Sequence, residues 1–245
     1  MAKDADNNTL RLITPRGPVS YPRLLKPDVG TKANPQKPNY NVKVVFAPGQ
    51  KFVVGKALVD HDEVVTRLEA LRDAEFDKQM ADAKAKKNGK LIKLLHKVDV
   101  FAPVLDGEGN ETGEVSVRAK TTAEFKDKNT GELIKKGPPT MFDAKGKTIA
   151  KLPPVGGGSE MKVGALAKPY FVAATGAVGM SFYLEATQLL KLVKYTGGKS
   201  AEAMGFGAED GYSADEDDSG SGFNAEGGDS EADSAGGEST GDEDF

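Results

Sequence analysis

Opposite charge is divided between the two ends of this 245-residue chain. After Lys199 there is no Lys or Arg, yet residues 201–245 hold 15 acids. Residues 1–200 hold all 33 bases and the other 22 acids, a net charge of +11, so the overall −4 hides a basic body joined to an acidic end. That end has no Leu, Ile or Val and is filled with Gly, Ser and Ala. Such a composition buries too little apolar surface to offset the entropy of ordering, so residues 197–245 are expected to form a disordered acidic tail. Asymmetry of this kind points to nucleic-acid binding or a charged interaction tail.

The body is long enough for one ordinary core. With no Cys there is no thiol nucleophile, disulfide or Cys-ligated zinc, and two His are too few for a His-rich metal site. No metal or other cofactor is expected. The apolar runs fall short of the ~18 residues of a membrane span, and the first residues lack the apolar stretch of a secretion signal. A reducing compartment such as a cytoplasm fits the missing cysteines.

Residues 1–18, polar and carrying Pro15 and Pro18, read as a flexible arm. Val19–Lys26 reads as a short strand which Pro22 places at an edge, and Pro27–Asn39 as a loop. Tyr40–Phe46 has strand alternation. One helix is expected over about 56–87, on a narrow stripe of Val64, Leu68 and Leu71 with Val65, Phe76 and Met80 nearby, stopping at Asn88-Gly89. From Val98 onward the pattern is β. Val115, Val117, Ala119, Thr121, Ala123 and Phe125 alternate with Ser116, Arg118, Lys120, Thr122, Glu124 and Lys126, a half-buried strand with a basic outer face. Met161, Val163, Ala165 and Ala167 alternate with Lys162 and Lys168. A last strand runs from about Val178 to Val193, with Val178, Met180, Phe182 and Leu184 on one face. Five or more strands with one inserted helix predict a mainly β fold, an antiparallel barrel or sandwich over residues 19–196.

Catalytic motifs fail on context. Gly198-Lys199-Ser200 lacks the first glycine of a phosphate loop, since Val193 stands there, and no apolar helix follows. Gly156-Gly157-Gly158 precedes a strand and offers no helix N-terminus to an anion; it reads better as a turn where backbones pass closely. Asp106–Val117 has Glu111 where a calcium loop needs Gly. His61, among Asp60, Asp62 and Glu63, reads as a solvated helix start. No triad or carboxylate pair stands out, so an enzyme is not expected. The constructive signal is cations interleaved with aromatics. Arg118, Lys120 and Lys126 are expected on one strand face, Lys162 and Lys168 on another, and Tyr170 and Phe171 follow Lys168-Pro169. Single-stranded nucleic acid needs such cations along its phosphates and π-faces for its bases. A solvated basic face with core aromatics is the competing reading.

The run Pro154-Val155-Gly156-Gly157-Gly158-Ser159-Glu160-Met161-Lys162-Val163, then Lys168-Pro169-Tyr170 and Thr175-Gly176-Ala177-Val178-Gly179, resembles the single-stranded DNA-binding protein of T-seven-type podoviruses. Lys26-Pro27-Asp28, Asn34-Pro35 before Tyr40, Phe125-Lys126-Asp127-Lys128 and the end Asp242-Glu243-Asp244-Phe245 extend the likeness in order over most of the chain. The resemblance implies an OB-fold, a five-stranded antiparallel Greek-key barrel with one inserted α-helix. It implies a non-enzymatic protein of phage DNA replication, recombination, repair and strand annealing, in the cytoplasm of the infected bacterial host. It implies a homodimer whose acidic tail, with Asp242, Glu243, Asp244 and Phe245, contacts the phage DNA polymerase and helicase–primase. Tyr170 matches the family's stacking tyrosine and Lys3 its basic N-terminal start; the family's basic contact after Asn-Pro falls at Gln36 or Lys37, of which Lys37 is chosen, while Thr122 stands where the family has a second stacking aromatic. The alternative is an acidic-tail structural or chaperone-like protein with no preference for single strands.

Overall fold

The computed structural model describes residues 8–194, so Lys3, the acidic tail and its terminal residues Asp242–Phe245 lie outside the described residues. In chain order the elements are β1 (Leu10–Ile13), β2 (Gly17–Gly30), β3 (Pro35–Phe46), β4 (Phe52–Val54), β5 (Ala57–Val59), α1 (His61–Ala85), α2 (Gly89–Leu94), β6 (His96–Lys97), β7 (Ala102–Leu105), β8 (Glu111–Thr122), β9 (Glu124–Lys126), β10 (Leu133–Lys135), β11 (Thr140–Phe142), β12 (Glu160–Val172) and β13 (Ala177–Lys191).

Five long strands close on themselves. β2 pairs with β3, β3 with β8, β8 with β13, β13 with β12, and β12 returns to β2. Numbered by order along the chain, the barrel runs 1-2-3-5-4-1, with the β8–β13 pair parallel and the others antiparallel. This is the OB arrangement that the family resemblance implies, and it decides for a barrel over a sandwich. Closure removes the open edges that a flat sheet would expose.

The alternation in the sequence explains which residues turn inward. Val42, Val44 and Phe46 of β3, Val117 and Ala119 of β8, Met161, Val163, Ala165 and Ala167 of β12, and Phe182 and Leu184 of β13 are buried in one core. Small residues on β12 leave room for larger ones opposite: Ala165 faces Leu184 and Ala167 faces Phe182. At one end Phe46, Phe52 and Phe101 pack edge-to-face and stacked at 5.3–5.6 Å between centroids. Helix α1 lies against β12 and β13 and buries Val64 and Leu68 there. Its acidic first turn, Asp62 and Glu63, suits the positive end of the helix dipole.

Several expectations are corrected. The 1–18 arm contains β1, which pairs with β12 and β4. Val19–Lys26 is the middle of a 14-residue strand inside the barrel. Pro22 is accommodated by an irregularity between Ser20 and Arg23, where Tyr21 takes φ 47°; a bulge lets a proline sit where no ladder donor is needed. The stretch 27–39 is a β2–β3 hairpin with its tip at 31–34, because Thr31 and Asn34 bond each other across the turn. The helix starts at His61 because Gly55 and Lys56 turn the β4–β5 hairpin. Asn88 does more than end it: its side chain accepts from Leu91 N–H and starts α2. His61 is not solvated; its ring packs beside Phe52 and Phe101 at 6.2 and 5.8 Å.

Gly17 shows how tightly β2 enters the barrel. A Cβ there would stand 1.8 Å from the Val45 carbonyl oxygen, so only glycine lets the two strands cross.

Candidate nucleic-acid interface

Directly opposed residues in a ladder share a face, so the register maps the outer surface. Lys168 of β12 opposes Ser181 of β13, Arg118 of β8 opposes Lys43 of β3, and Arg118 and Ser181 line one cleft of about 270 Å³. In the next row Leu166 opposes Tyr183, Tyr183 neighbours Lys120, Lys120 opposes Asn41, and Asn41 opposes Arg23. Cations from four of the five strands thus stand on one contiguous surface. Gln36, Asn39, Lys120, Met180 and Phe182 complete the cleft.

Tyr170 adds an aromatic to this surface. It opposes Gly179, and a Cβ at Gly179 would meet the tyrosine Oη, Cζ and Cε1 at 2.7–2.9 Å. The ring therefore rests against bare backbone, half-buried, two positions along β12 from Lys168. Tyr183 is 48% exposed on the same face.

A polar network orders the β3–β8 side. Arg118 Nη2 donates to Asn41 Oδ1 at 3.2 Å, and the Asn41 amide donates to Asn39 Oδ1 at 2.9 Å and Asp28 Oδ2 at 3.4 Å. Gly30 N–H donates to Asp28 Oδ1 at 3.0 Å. That backbone bond, with the Asn41 amide and the charges of Arg23 and Arg118, holds the Asp28 carboxyl below its ordinary range against a smaller opposing effect of burial. Asn41 is buried although it sits on the outer face.

Of the residues singled out from sequence, Arg118, Lys120, Lys168 and Tyr170 come together here. Lys37 is exposed on β3 near the hairpin tip, with its carbonyl accepting from Asn39. Lys162 shares the Lys168 face, but six residues at ~3.3 Å each put it about 20 Å away. Lys126 is not on the Arg118 strand: β8 ends at Thr122, Ala123 is buried, and Lys126 pairs with Leu133 in the separate β9–β10 hairpin. Phe171 follows Tyr170 and therefore points to the opposite face of β12. Lys43, Asn39, Asn41, Arg23, Ser181 and Asp28 escaped the sequence reading, although an Asn among β-branched residues at an outward position is a visible signal in Asn41.

The glycine triplet packs against the other end of β2, where Gly157 and Gly158 line a cleft with Val19, Tyr21 and Arg23. Gly158 N–H donates to Val19 carbonyl and Gly156 N–H to Val193 carbonyl, and Ser159 Oγ bonds both Gly156 and Val193. It is the close turn its sequence suggests. Among the described residues no cluster of His, Asp and Glu could hold a metal, and no helix is long and apolar enough to cross a membrane.

The family model for the single-stranded DNA-binding protein of bacteriophage T7 matches residues 17–192, the whole barrel. The chain belongs to this family. The single-stranded DNA-binding protein of Enterobacteria phage T3 is 30% identical over 197 residues, covering 80% of this chain and 82% of that protein. That of Escherichia phage T7 is 29% identical over 180 residues, covering 73% and 74%. The crystal structure of gp2.5, the single-stranded DNA-binding protein encoded by bacteriophage T7, superposes with a TM-score of 0.58 at 22% identity, covering 84% of this chain and 99% of that one. That likeness is one of fold. Family membership places the chain among phage single-stranded DNA-binding proteins.

Proposed function

We propose that this protein coats single-stranded DNA without reading its sequence. The observation that carries this reading is the single outer face holding Lys168, Arg118, Lys43, Lys120 and Arg23 beside the Tyr170 ring. OB barrels bind on their second and third strands and the loops beside them, which here are β3, β8, the 31–34 turn near Lys37 and the 173–176 turn after Tyr170. The cations track phosphates and release their counterions. Tyr170 stacks on a base, a contact worth ~1–3 kcal/mol that any base can make. One barrel covers on the order of 4–16 nucleotides. Lys126 and Lys162 extend the cationic path at its margins, Phe171 supports Tyr170 from the other side of β12, and Lys3 contributes a further cation.

The same reading covers the acidic tail. Its 15 carboxylates and the +11 body are one molecule, and a tether gives even a weak contact a high effective concentration. The tail competes with DNA for the cationic face, and DNA frees Asp242, Glu243, Asp244 and Phe245 for the phage polymerase and helicase–primase. Dimerisation through the tail, strand annealing, and roles in replication, recombination and repair in the cytoplasm of the infected host belong to this proposal.

An oligonucleotide gel shift tests it. Poly(dT) should bind far more tightly than duplex of the same length, and a tenfold rise in salt should weaken binding steeply. Equal affinity for the two would favour a structural or chaperone-like acidic-tail protein instead.

A further inference from the structure

An acid stands inside the cationic face. Asp28 Oδ2 lies 3.9 Å from Arg118 Nη2, and both groups are tied to the same buried Asn41, which accepts from Arg118 and donates to Asp28. The geometry has three consequences. Asn41 can satisfy both neighbours in only one amide orientation, with its oxygen toward the guanidinium and its nitrogen toward the carboxylate. Asp28 is fixed from the other side by Gly30 N–H, so it does not swing away with the hairpin tip. Arg118 remains 60% exposed while Asp28 is only 24% exposed, so the guanidinium keeps an open side toward solvent and the carboxylate stays behind it. Arg23 is the other cation whose charge Asp28 feels.

The distance sets the character of the pair. At 3.9 Å without a direct hydrogen bond, the pair is a partial neutralisation and lacks the two parallel bonds of a closed arginine–carboxylate fork. We propose that Asp28 is a resident counter-anion of Arg118: it orients the guanidinium toward the cleft through Asn41 and weakens its hold on an arriving DNA phosphate. Asp28 is thus a positioning residue that lowers affinity and keeps the bound strand exchangeable. A cation already sharing an internal carboxylate neutralises less of an arriving phosphate, so fewer of the counterions condensed on the DNA are released on binding. The inference rests on the single-strand-binding reading above.

The test is Asp28→Asn in the full chain, titrated with fluorescent oligo(dT) across a salt series. Asparagine keeps the acceptor for Gly30 N–H and a similar shape; it turns an amide nitrogen toward the Asn41 amide and gives up that 3.4 Å bond, and an unchanged melting temperature verifies that the hairpin is retained. Asp28→Asn should tighten binding about three- to tenfold at low salt and steepen the log–log salt slope by about 0.7, one single-strand phosphate equivalent. In an Arg118→Gln background the same substitution should have at most half that logarithmic effect, the remainder passing through Arg23. Unchanged or weaker binding by Asp28→Asn, or an undiminished gain when Arg118 is absent, overturns the inference while the function stands. Failure of the unsubstituted protein to bind oligo(dT) would instead overturn the function.

Discussion

The Tyr170 ring occupies the space that a side chain at Gly179 would fill: a Cβ there would come within 2.7 Å of the tyrosine hydroxyl. A glycine inside a strand costs packing and backbone entropy. At this position it creates a flat seat that holds an aromatic ring against the sheet, beside Lys168 and Ser181. The seat of the ring is thus built by two strands, and Tyr170 is only its visible half.

Gly179→Ala should lift the ring from its seat. The neighbour that must move is the far end of a flexible side chain, so the fold should tolerate the change with a small loss of melting temperature. Affinity for oligo(dT), measured by anisotropy, should fall by part of the loss caused by Tyr170→Ala. The latter should cost ~1–3 kcal/mol, or roughly five- to 150-fold.

Lysine substitutions should read differently from tyrosine ones. Lys120→Ala and Lys168→Ala should each lower the salt slope of oligo(dT) binding by about 0.7, because each removes one of the proposed phosphate contacts. Tyr170→Ala should weaken binding with little change in slope. Lys162→Ala, about 20 Å along β12, should matter only for oligomers long enough to reach it. Titrations at four salt concentrations separate these outcomes.

Deleting residues 201–245 removes 15 negative charges and no positive ones. If the tail competes for the cationic face, the truncated protein should bind oligo(dT) more tightly at low salt, and the difference should shrink as salt screens the tail. Weaker binding after truncation would show that the tail does not compete.

Acid should loosen the barrel through Glu160. The Arg16 hydrogen bond, helped by the charges of Arg16 and Lys191, holds its carboxyl below the ordinary value of 4.5. These partners come from the chain entering β2 and from β13, so the carboxylate ties three segments together. A depressed folded value means that the stabilisation is complete above about pH 4.5 and is lost as pH falls through the lower folded value. Melting scans between pH 7 and pH 3 should show a shallower acid limb for Glu160→Gln than for the unsubstituted protein.

The parts of the fold legible in the sequence are those where one face of a strand is buried. Val163, Ala165 and Ala167, or Val178, Met180 and Phe182, alternate because the pleat forces them to, and their outer partners Lys168, Arg118 and Lys120 follow. What escaped has local causes. Pro22 reads as an edge residue, yet the twist at Tyr21 lets it sit inside a closed barrel. Lys126 continues the alternation past Ala123, where the chain leaves the barrel to form its own hairpin. Asn41 and Asp28 could not be joined without the β2–β3 register, which an irregular hairpin conceals. Gly179 was visible as a glycine within a strand, but its purpose depends on the residue opposite.

The central claim is that single-stranded DNA lies across β3, β8 and the Tyr170 end of β12. Backbone amide shifts of the full ¹⁵N-labelled chain, followed during titration with an eight-nucleotide oligo(dT), locate the strand directly. The account predicts the largest changes at Asn39, Arg118, Lys120, Gly179 and Ser181, with a matched duplex producing far smaller ones. Changes confined to the 154–158 turn or helix α1, with these five amides unmoved, would contradict it.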